Sequence, residues 1–272
     1  MGKPRILLFD SGMGGLTVAR AVAKQMPDAH LVYSADNAGF PYGAWKEQDL
    51  VKRIVWVIGA LIARVKPDLV VIACNTASTI AMKELRETYP VPFVGTVPAI
   101  KPAAALTKSG IIGVLATPGT VNREYTHSLI HTYAFHCKVF LHGAPRLAEI
   151  AEQKLRGHKV DMDELRNEIM PVYRKRDGGR TDVVVLGCTH YPLLVDEINE
   201  VAPWAVSFID PSAAIARRVA DVSEETKLHA SGEGFPAHGT VLLTSARGSA
   251  SETLTAYGTM GFPRHDVVDL PV

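Results

Sequence analysis

The stretch DLVVIACNTASTIAM, residues 68–82, and the stretch DVVVLGCTHYPLLVD, residues 182–196, decide how this chain is read. Each opens on an aspartate, continues as an apolar run, and reaches a cysteine followed by hydroxyl or amide side chains. A constant offset of 114 carries Asp68 onto Asp182, Val70 onto Val184, Val71 onto Val185 and Cys74 onto Cys188. Short runs rich in valine and isoleucine, bounded by turn residues, read as buried strands. One strand–cysteine–turn unit therefore occurs twice. A chain with two such units can bring two thiols face to face.

The same pattern spreads outward from each copy. Before Cys74 the sequence predicts a strand over 5–9, a turn over 10–15, a helix over 16–25, a strand over 29–35 and a loop over 36–43. A long helix over 44–65 follows, with Leu50, Ile54, Val57, Ile58, Leu61 and Val65 at helical spacing. After Cys74 come a helix from about 78 to 87 and a strand over 91–95. The pattern restarts with strand 111–116, helix 121–133, strand 138–142, helices 145–156 and 161–175, and strand 183–186. Cys74 and Cys188 are each expected to start a helix, whose dipole favours a thiolate. A helix over 210–221, an irregular stretch over 223–238, a strand over 240–244 and a helix over 249–258 complete the chain. The lone last strand needs an existing sheet to pair with, so the tail is expected to return to the first lobe.

Alternating strands and helices imply parallel sheets covered on both faces. The expected fold is α/β: two pseudosymmetric three-layer lobes, one from 1–97 plus 210–272 and the other from 98–209. In such sheets ligands bind beyond the C-terminal ends of the strands. Asp10, Ser11, the Pro41-Tyr42-Gly43 loop and Cys74-Asn75-Thr76 all fall there.

Composition narrows the function classes. A net charge of +1 over 272 residues gives no basic face for nucleic acid. The longest apolar run, residues 54–63, lies between Arg53 and Arg64 and is too short for a membrane span. Three cysteines are too few for a disulfide framework, and with no signal-peptide pattern they point to the reducing cytoplasm.

Taken singly, Cys74 or Cys188 reads most simply as a small buried apolar residue. Their repetition at matching strand ends favours a catalytic pair. Cys137 has no such context and reads as structural. A Cys74–Cys188 redox pair lacks close spacing, and Cys188-x-His190 offers two of the four ligands a structural zinc needs. No metal site is expected. His190 is placed to relay or tune the proton of Cys188, with Asp10 in the corresponding position near Cys74. Glu152 alone reads as a solvated charge. The turn DSGMGG, residues 10–15, fits either an ordinary strand-to-helix turn or a ligand-binding one. Its aspartate favours a ligand that also carries positive charge, such as an amino acid.

Four motifs bring a resemblance: FDSGMGG at 9–15, PYG at 41–43, ACNTAS at 73–78 and GCTHYPLL at 187–194, with IDPS at 209–212 as a weaker fifth. Together they resemble the glutamate racemase family, within the aspartate/glutamate racemase superfamily. The resemblance implies a cofactor-independent isomerase that interconverts L- and D-glutamate and supplies the D-isomer for peptidoglycan. It places the active site between two lobes. Carried over by motif, Cys74 and Cys188 are the acid/base pair, assisted by Asp10, Glu152 and His190. Substrate contacts fall to Asp10, Ser11, Tyr42, Gly43, Asn75, Thr76, Thr117, Thr120, Thr189 and His190. Residues 143–151 depart from the family's Cys-Pro-x-Phe-x-Pro pattern and keep only Pro145, although Glu152 falls at its acidic position. The resemblance allows a homodimer and, as in some relatives, activation by a cell-wall precursor. Rival readings are an aspartate or other acidic amino-acid racemase, a non-catalytic two-lobed amino-acid-binding regulator, and a cysteine hydrolase.

Overall fold

Strand and helix alternate along almost the whole chain in the computed structural model, which describes residues 3–226 and 236–272. The chain begins with β1 (Arg5–Asp10), α1 (Leu16–Gln25), β2 (His30–Ala35), α2 (Glu47–Val65), β3 (Leu69–Ile72), α3 (Asn75–Thr88) and β4 (Phe93–Gly95). It continues through α4 (Ile100–Leu106), β5 (Ile111–Ala116), α5 (Pro118–Val121), α6 (Glu124–Tyr133), β6 (Lys138–Gly143), α7 (Leu147–Leu155) and α8 (Met162–Ile169). Then follow β7 (Lys175–Arg176), β8 (Gly179–Arg180), β9 (Val183–Gly187), α9 (Val195–Val201) and β10 (Ser207–Ile209). The last elements are α10 (Ser212–Glu225), β11 (Thr240–Leu243), α11 (Ser251–Thr259) and β12 (Arg264–Val267).

These elements form two compact units, Met1–Thr96 with Ser212–Val272, and Val97–Pro211. The first holds a six-stranded sheet in the order β12-β11-β2-β1-β3-β4, and the second a four-stranded sheet in the order β10-β9-β5-β6. All neighbours in both sheets are parallel. The strand order β2-β1-β3-β4 is matched by β6-β5-β9-β10, so the repeat read at the two cysteines extends to topology. It extends to register as well. Ile6 pairs with Leu69 in the first sheet, and Ile112 with Val183 in the second. The central strands β1, β3, β5 and β9 are buried on both faces, as their near-continuous apolar sequences require.

The repeated aspartates explain the shared register. Asp68 accepts the backbone N–H of Arg5 at 2.7 Å, at the start of β1. Asp182 accepts Lys108 N at 2.7 Å and Ser109 N at 3.0 Å, just before β5. In both units the aspartate below the cysteine-bearing strand pins the entry to the central strand.

The apolar stripe of α2 is buried on the first sheet, with Leu50, Ile54, Val57, Ile58, Leu61 and Val65 packed among Leu7, Phe9, Val32, Val70 and Ile72. β11 pairs with β2, so the tail joins the first sheet as an internal strand.

The structure corrects several element limits. Helix α3 starts at Asn75 because Cys74 caps it, rather than near 78. The 3-10 turn Tyr42–Ala44 delays α2 to Glu47. The expected helix over 121–133 is two helices, with Thr126 Oγ1 donating to the carbonyl of Thr120 at 2.7 Å across the break. The expected helix over 161–175 ends at Ile169, since Pro171 cannot continue α-helical bonding, and residues 175–180 form a hairpin. Residues 223–225, expected to be irregular, belong to α10; residues 227–235 of that stretch lie outside the described residues. The short elements α4, α9, β10 and β12 had no sequence expectation. Among the described residues no helix is long and apolar enough to cross a membrane.

Candidate active site

In the first unit, β1 and β3 are adjacent and their C-terminal ends deliver Asp10-Ser11 and Cys74 together. Cys74 is the N-cap of α3, and its sulfur accepts Ala77 N–H at 3.5 Å. A helix N-terminus favours negative charge, so this position suits a thiolate. Ser11 Oγ lies 4.0 Å from Cys74 Sγ. Asp10 is fully buried and uses Oδ1 to accept Gly12 N–H at 2.8 Å. The glycine turn is thus closed partly by its own aspartate. Gly15 ends it where a Cβ would lie 2.7 Å from Asp10 Cβ and 2.8 Å from the Tyr33 hydroxyl, so no larger residue fits.

Asn75 is 3% exposed, and neither its Oδ1 nor its Nδ2 has a hydrogen-bond partner among the described residues. Buried amides are satisfied in most native structures, so this one points to a ligand. Thr76 is buried beside it.

Tyr42 and Gly43 lie in the 3-10 turn. The Tyr42 hydroxyl donates to Asp36 Oδ2 at 2.5 Å. Burial first, then the charge of Asp36 and this hydrogen bond, raise the phenol well above its usual range, against the opposing Arg53. Tyr42 therefore stays neutral, with its proton committed to Asp36. Asp36 also holds Arg53 through two hydrogen bonds of 2.6 and 2.8 Å and accepts the Thr244 hydroxyl at 2.7 Å. Arg53 continues to the carbonyls of Leu270 and Pro271. Sequence reasoning missed this network. Its one signal was Arg53, a charge on the apolar stripe of α2.

In the second unit, Cys188 follows β9 and is buried. It does not start an α-helix, contrary to expectation. Pro192 directs the chain into a 3-10 turn over Tyr191–Leu194, and α9 begins only at Val195. Its sulfur instead faces His190 Nδ1 at 3.7 Å, and His190 Nε2 lies 3.2 Å from Glu152 Oε1. Glu152 is 4% exposed, so the reading of it as a solvated charge is corrected. Its second oxygen, Oε2, is held by Arg156. Sequence reasoning missed Arg156, although it lies one helical turn after Glu152, the spacing at which side chains pair.

Thr117 caps α5, and its Oγ1 is 3.0 Å from Thr120 Oγ1. Thr120 is fully buried, and Thr189 is buried next to Cys188. Cys137 is a partly buried free thiol. Burial and then the charge of Asp182 push it up, which makes it a poor nucleophile. Cys74 and Cys188 are both buried thiols. Among the described residues, no group of three or more His, Cys, Asp or Glu side chains is placed to hold a metal ion.

Residues 16–219 match the family described as Asp/Glu/Hydantoin racemase. The glutamate racemase of Brucella anthropi is 56% identical over 214 residues, 78% of this chain and 77% of its own length. The structure is similar to Escherichia coli glutamate racemase in complex with L-glutamate and activator UDP-MurNAc-ala. That match has a TM-score of 0.90 and 40% identity, and covers 97% of this chain and 98% of the other. It is also similar to glutamate racemase isoform RacE1 from Bacillus anthracis, with a TM-score of 0.78, 26% identity and full coverage of both chains. The two-lobed α/β fold, the thiol-bearing motifs and these likenesses agree, and the chain belongs to the glutamate racemase family of isomerases.

Proposed function

We propose that this protein interconverts L- and D-glutamate without a cofactor, using Cys74 and Cys188 as the two proton-transfer groups. The observation that carries the reading is the repeat. Two buried thiols occupy the C-terminal ends of β3 and β9, which are equivalent strands in two sheets of matching order and register.

The α-proton of an amino acid is a very weak acid, and inversion removes it from one face and returns a proton to the other. One thiolate takes the proton while the second thiol supplies its replacement, and the roles reverse for the other enantiomer. A positioned base contributes about 10²–10⁴-fold, so stabilisation of the charge building at the α-carbon must supply much of the rest. Candidates for that task and for holding the carboxylates are the unpaired amide of Asn75, Ser11, Gly43, Thr76, Thr117, Thr120 and Thr189. Asp10 and Tyr42 shape the first unit's share, and His190 with Glu152 serves Cys188. The product would feed peptidoglycan synthesis in the cytoplasm. Activation by a cell-wall precursor, in line with the complex of the Escherichia coli enzyme with activator UDP-MurNAc-ala, and assembly as a homodimer complete the proposal.

The test is proton exchange in deuterium oxide. L-glutamate should yield D-glutamate labelled at the α-carbon, while Cys74→Ser and Cys188→Ser each slow racemisation by at least about 10²-fold. Unlabelled product, or normal racemisation by either variant, rejects the two-thiol reading.

A further inference from the structure

We propose that Arg156 is a positioning residue for proton transfer at Cys188: its guanidinium holds and balances the Glu152 carboxylate, and Glu152 in turn fixes His190 as the proton acceptor facing Cys188 Sγ. The proposal deepens the two-thiol reading and rests on it for the role of Cys188.

The chain of contacts is continuous. Arg156 meets Glu152 Oε2, Glu152 Oε1 lies 3.2 Å from His190 Nε2, and His190 Nδ1 lies 3.7 Å from Cys188 Sγ. The three inner members are nearly sealed from water, with Cys188 7%, His190 2% and Glu152 4% exposed, while the Arg156 side chain reaches solvent at 28%. With Glu152 ionised, Nε2 carries the imidazole proton and donates it to Oε1. Nδ1 is then left as the acceptor for the thiol. A buried carboxylate without a cation is costly, and it would either take up a proton or draw one onto His190. Both outcomes remove the acceptor. Arg156 prevents them with a charge that does not titrate in the working range.

Local structure supports this placement. Arg156 is the C-cap of α7, where the helix dipole favours a cation, and Gly157 ends the helix at a φ of 90°. The same turn is fastened to the Cys188 segment a second time. Lys154 Nζ donates to the carbonyl of Leu193 at 2.7 Å and pairs with Glu197 at 2.7 Å. Arg156 can therefore supply charge without being the only clamp. Among the described residues, the titratable and charged groups around His190 include Cys188 and Tyr191 on its own segment, Glu152 on α7 with Arg156 behind it, and Glu168, which acts on Tyr191.

The experiment follows the titration of His190 by NMR in protein labelled at histidine, with the resonance identified by its loss in His190→Asn. Removing the cation takes positive charge away from the carboxylate, so Arg156→Gln should raise the His190 midpoint by on the order of one pH unit. The acid limb of kcat/KM should move up with it. Arg156→Lys, which keeps the charge, should restore both. Glu152→Gln should lower the midpoint, and adding Arg156→Gln to it should change nothing further, because Arg156 acts through Glu152. An unchanged midpoint in Arg156→Gln, a uniform fall in kcat/KM at every pH, or additive effects in the double variant would overturn the proposal. If Arg156→Gln does not fold, Glu152→Gln carries the test, and an unmoved His190 midpoint there is equally fatal. If the His190 midpoints of the variants shift as expected but the wild-type protein does not racemise glutamate, the two-thiol reading falls and the charge relay stands.

Discussion

Asn75, at the first position of α3 and next to Cys74, carries a buried amide with no hydrogen-bond partner among the described residues. An unsatisfied buried polar group costs about 1–3 kcal/mol, so its retention is best explained by what it binds. Asn75→Ala should lower kcat/KM by about 10- to 100-fold, the equivalent of that energy in binding. It should leave the Tm unchanged or higher, since nothing paired in the free protein is lost. A clear fall in Tm measured by calorimetry would contradict this account. At this scale much was legible. The cysteines stood at the ends of apolar runs, and an asparagine beside one of them invited the reading. The surroundings of the two sulfurs were not legible. Pro192 replaces the helix start expected after Cys188 with a 3-10 turn, so a histidine takes the place that a helix N-terminus has at Cys74.

Among elements, the contacts that hold the candidate site come from segments far apart in sequence. Arg53 of α2 binds Asp36 after β2 and the carbonyls of Leu270 and Pro271, while Thr244 after β11 binds the same carboxylate. No local pattern reveals such a set; only a charged residue on the buried stripe of α2 hinted at it. Arg53→Met should leave Asp36 buried without its cation and cost about 3–5 kcal/mol in denaturant unfolding. It should also disturb Tyr42, whose hydroxyl rests on Asp36. A second element-scale prediction concerns Asp182. Burial opposes its ionisation, but hydrogen bonds from Thr107, Lys108 and Ser109 prevail and hold its carboxyl below the usual range. A depressed folded-state value means that the ionised form contributes stability above the unfolded value near about 3.9, and that the contribution disappears as pH falls through the folded value. Asp182→Asn should therefore lower the Tm at neutral pH, and the gap to wild type should close below about pH 4. A gap that persists in acid would assign the effect to packing instead.

For the whole molecule, the repeat was readable because parallel sheets bury both faces and so leave continuous apolar strands in the sequence. The tail was harder to place, since β11 pairs with β2 across roughly the length of the chain and β12 adds outside it. Residues 97–211 form a continuous unit with its own apolar core, including Ile112, Val114, Val183 and Val185. That segment alone should give a cooperative thermal transition by circular dichroism. A chain ending before Thr240 should keep that transition and lose the one of the first unit, because β2 would lose β11 and expose a long apolar edge.

The unlike settings of Cys74 and Cys188 have a consequence in kinetics. Enantiomers have equal free energy in water, so a racemase has an equilibrium constant of one, and kcat/KM must be the same in both directions. A sulfur capping a helix and a sulfur facing a histidine cannot make one direction more efficient, however different their surroundings. The difference can appear only as a trade within each direction: the enantiomer with the larger kcat must also have the larger KM, by the same factor. The asymmetry of the protein then decides which mirror image occupies the enzyme, and leaves untouched how fast either is captured.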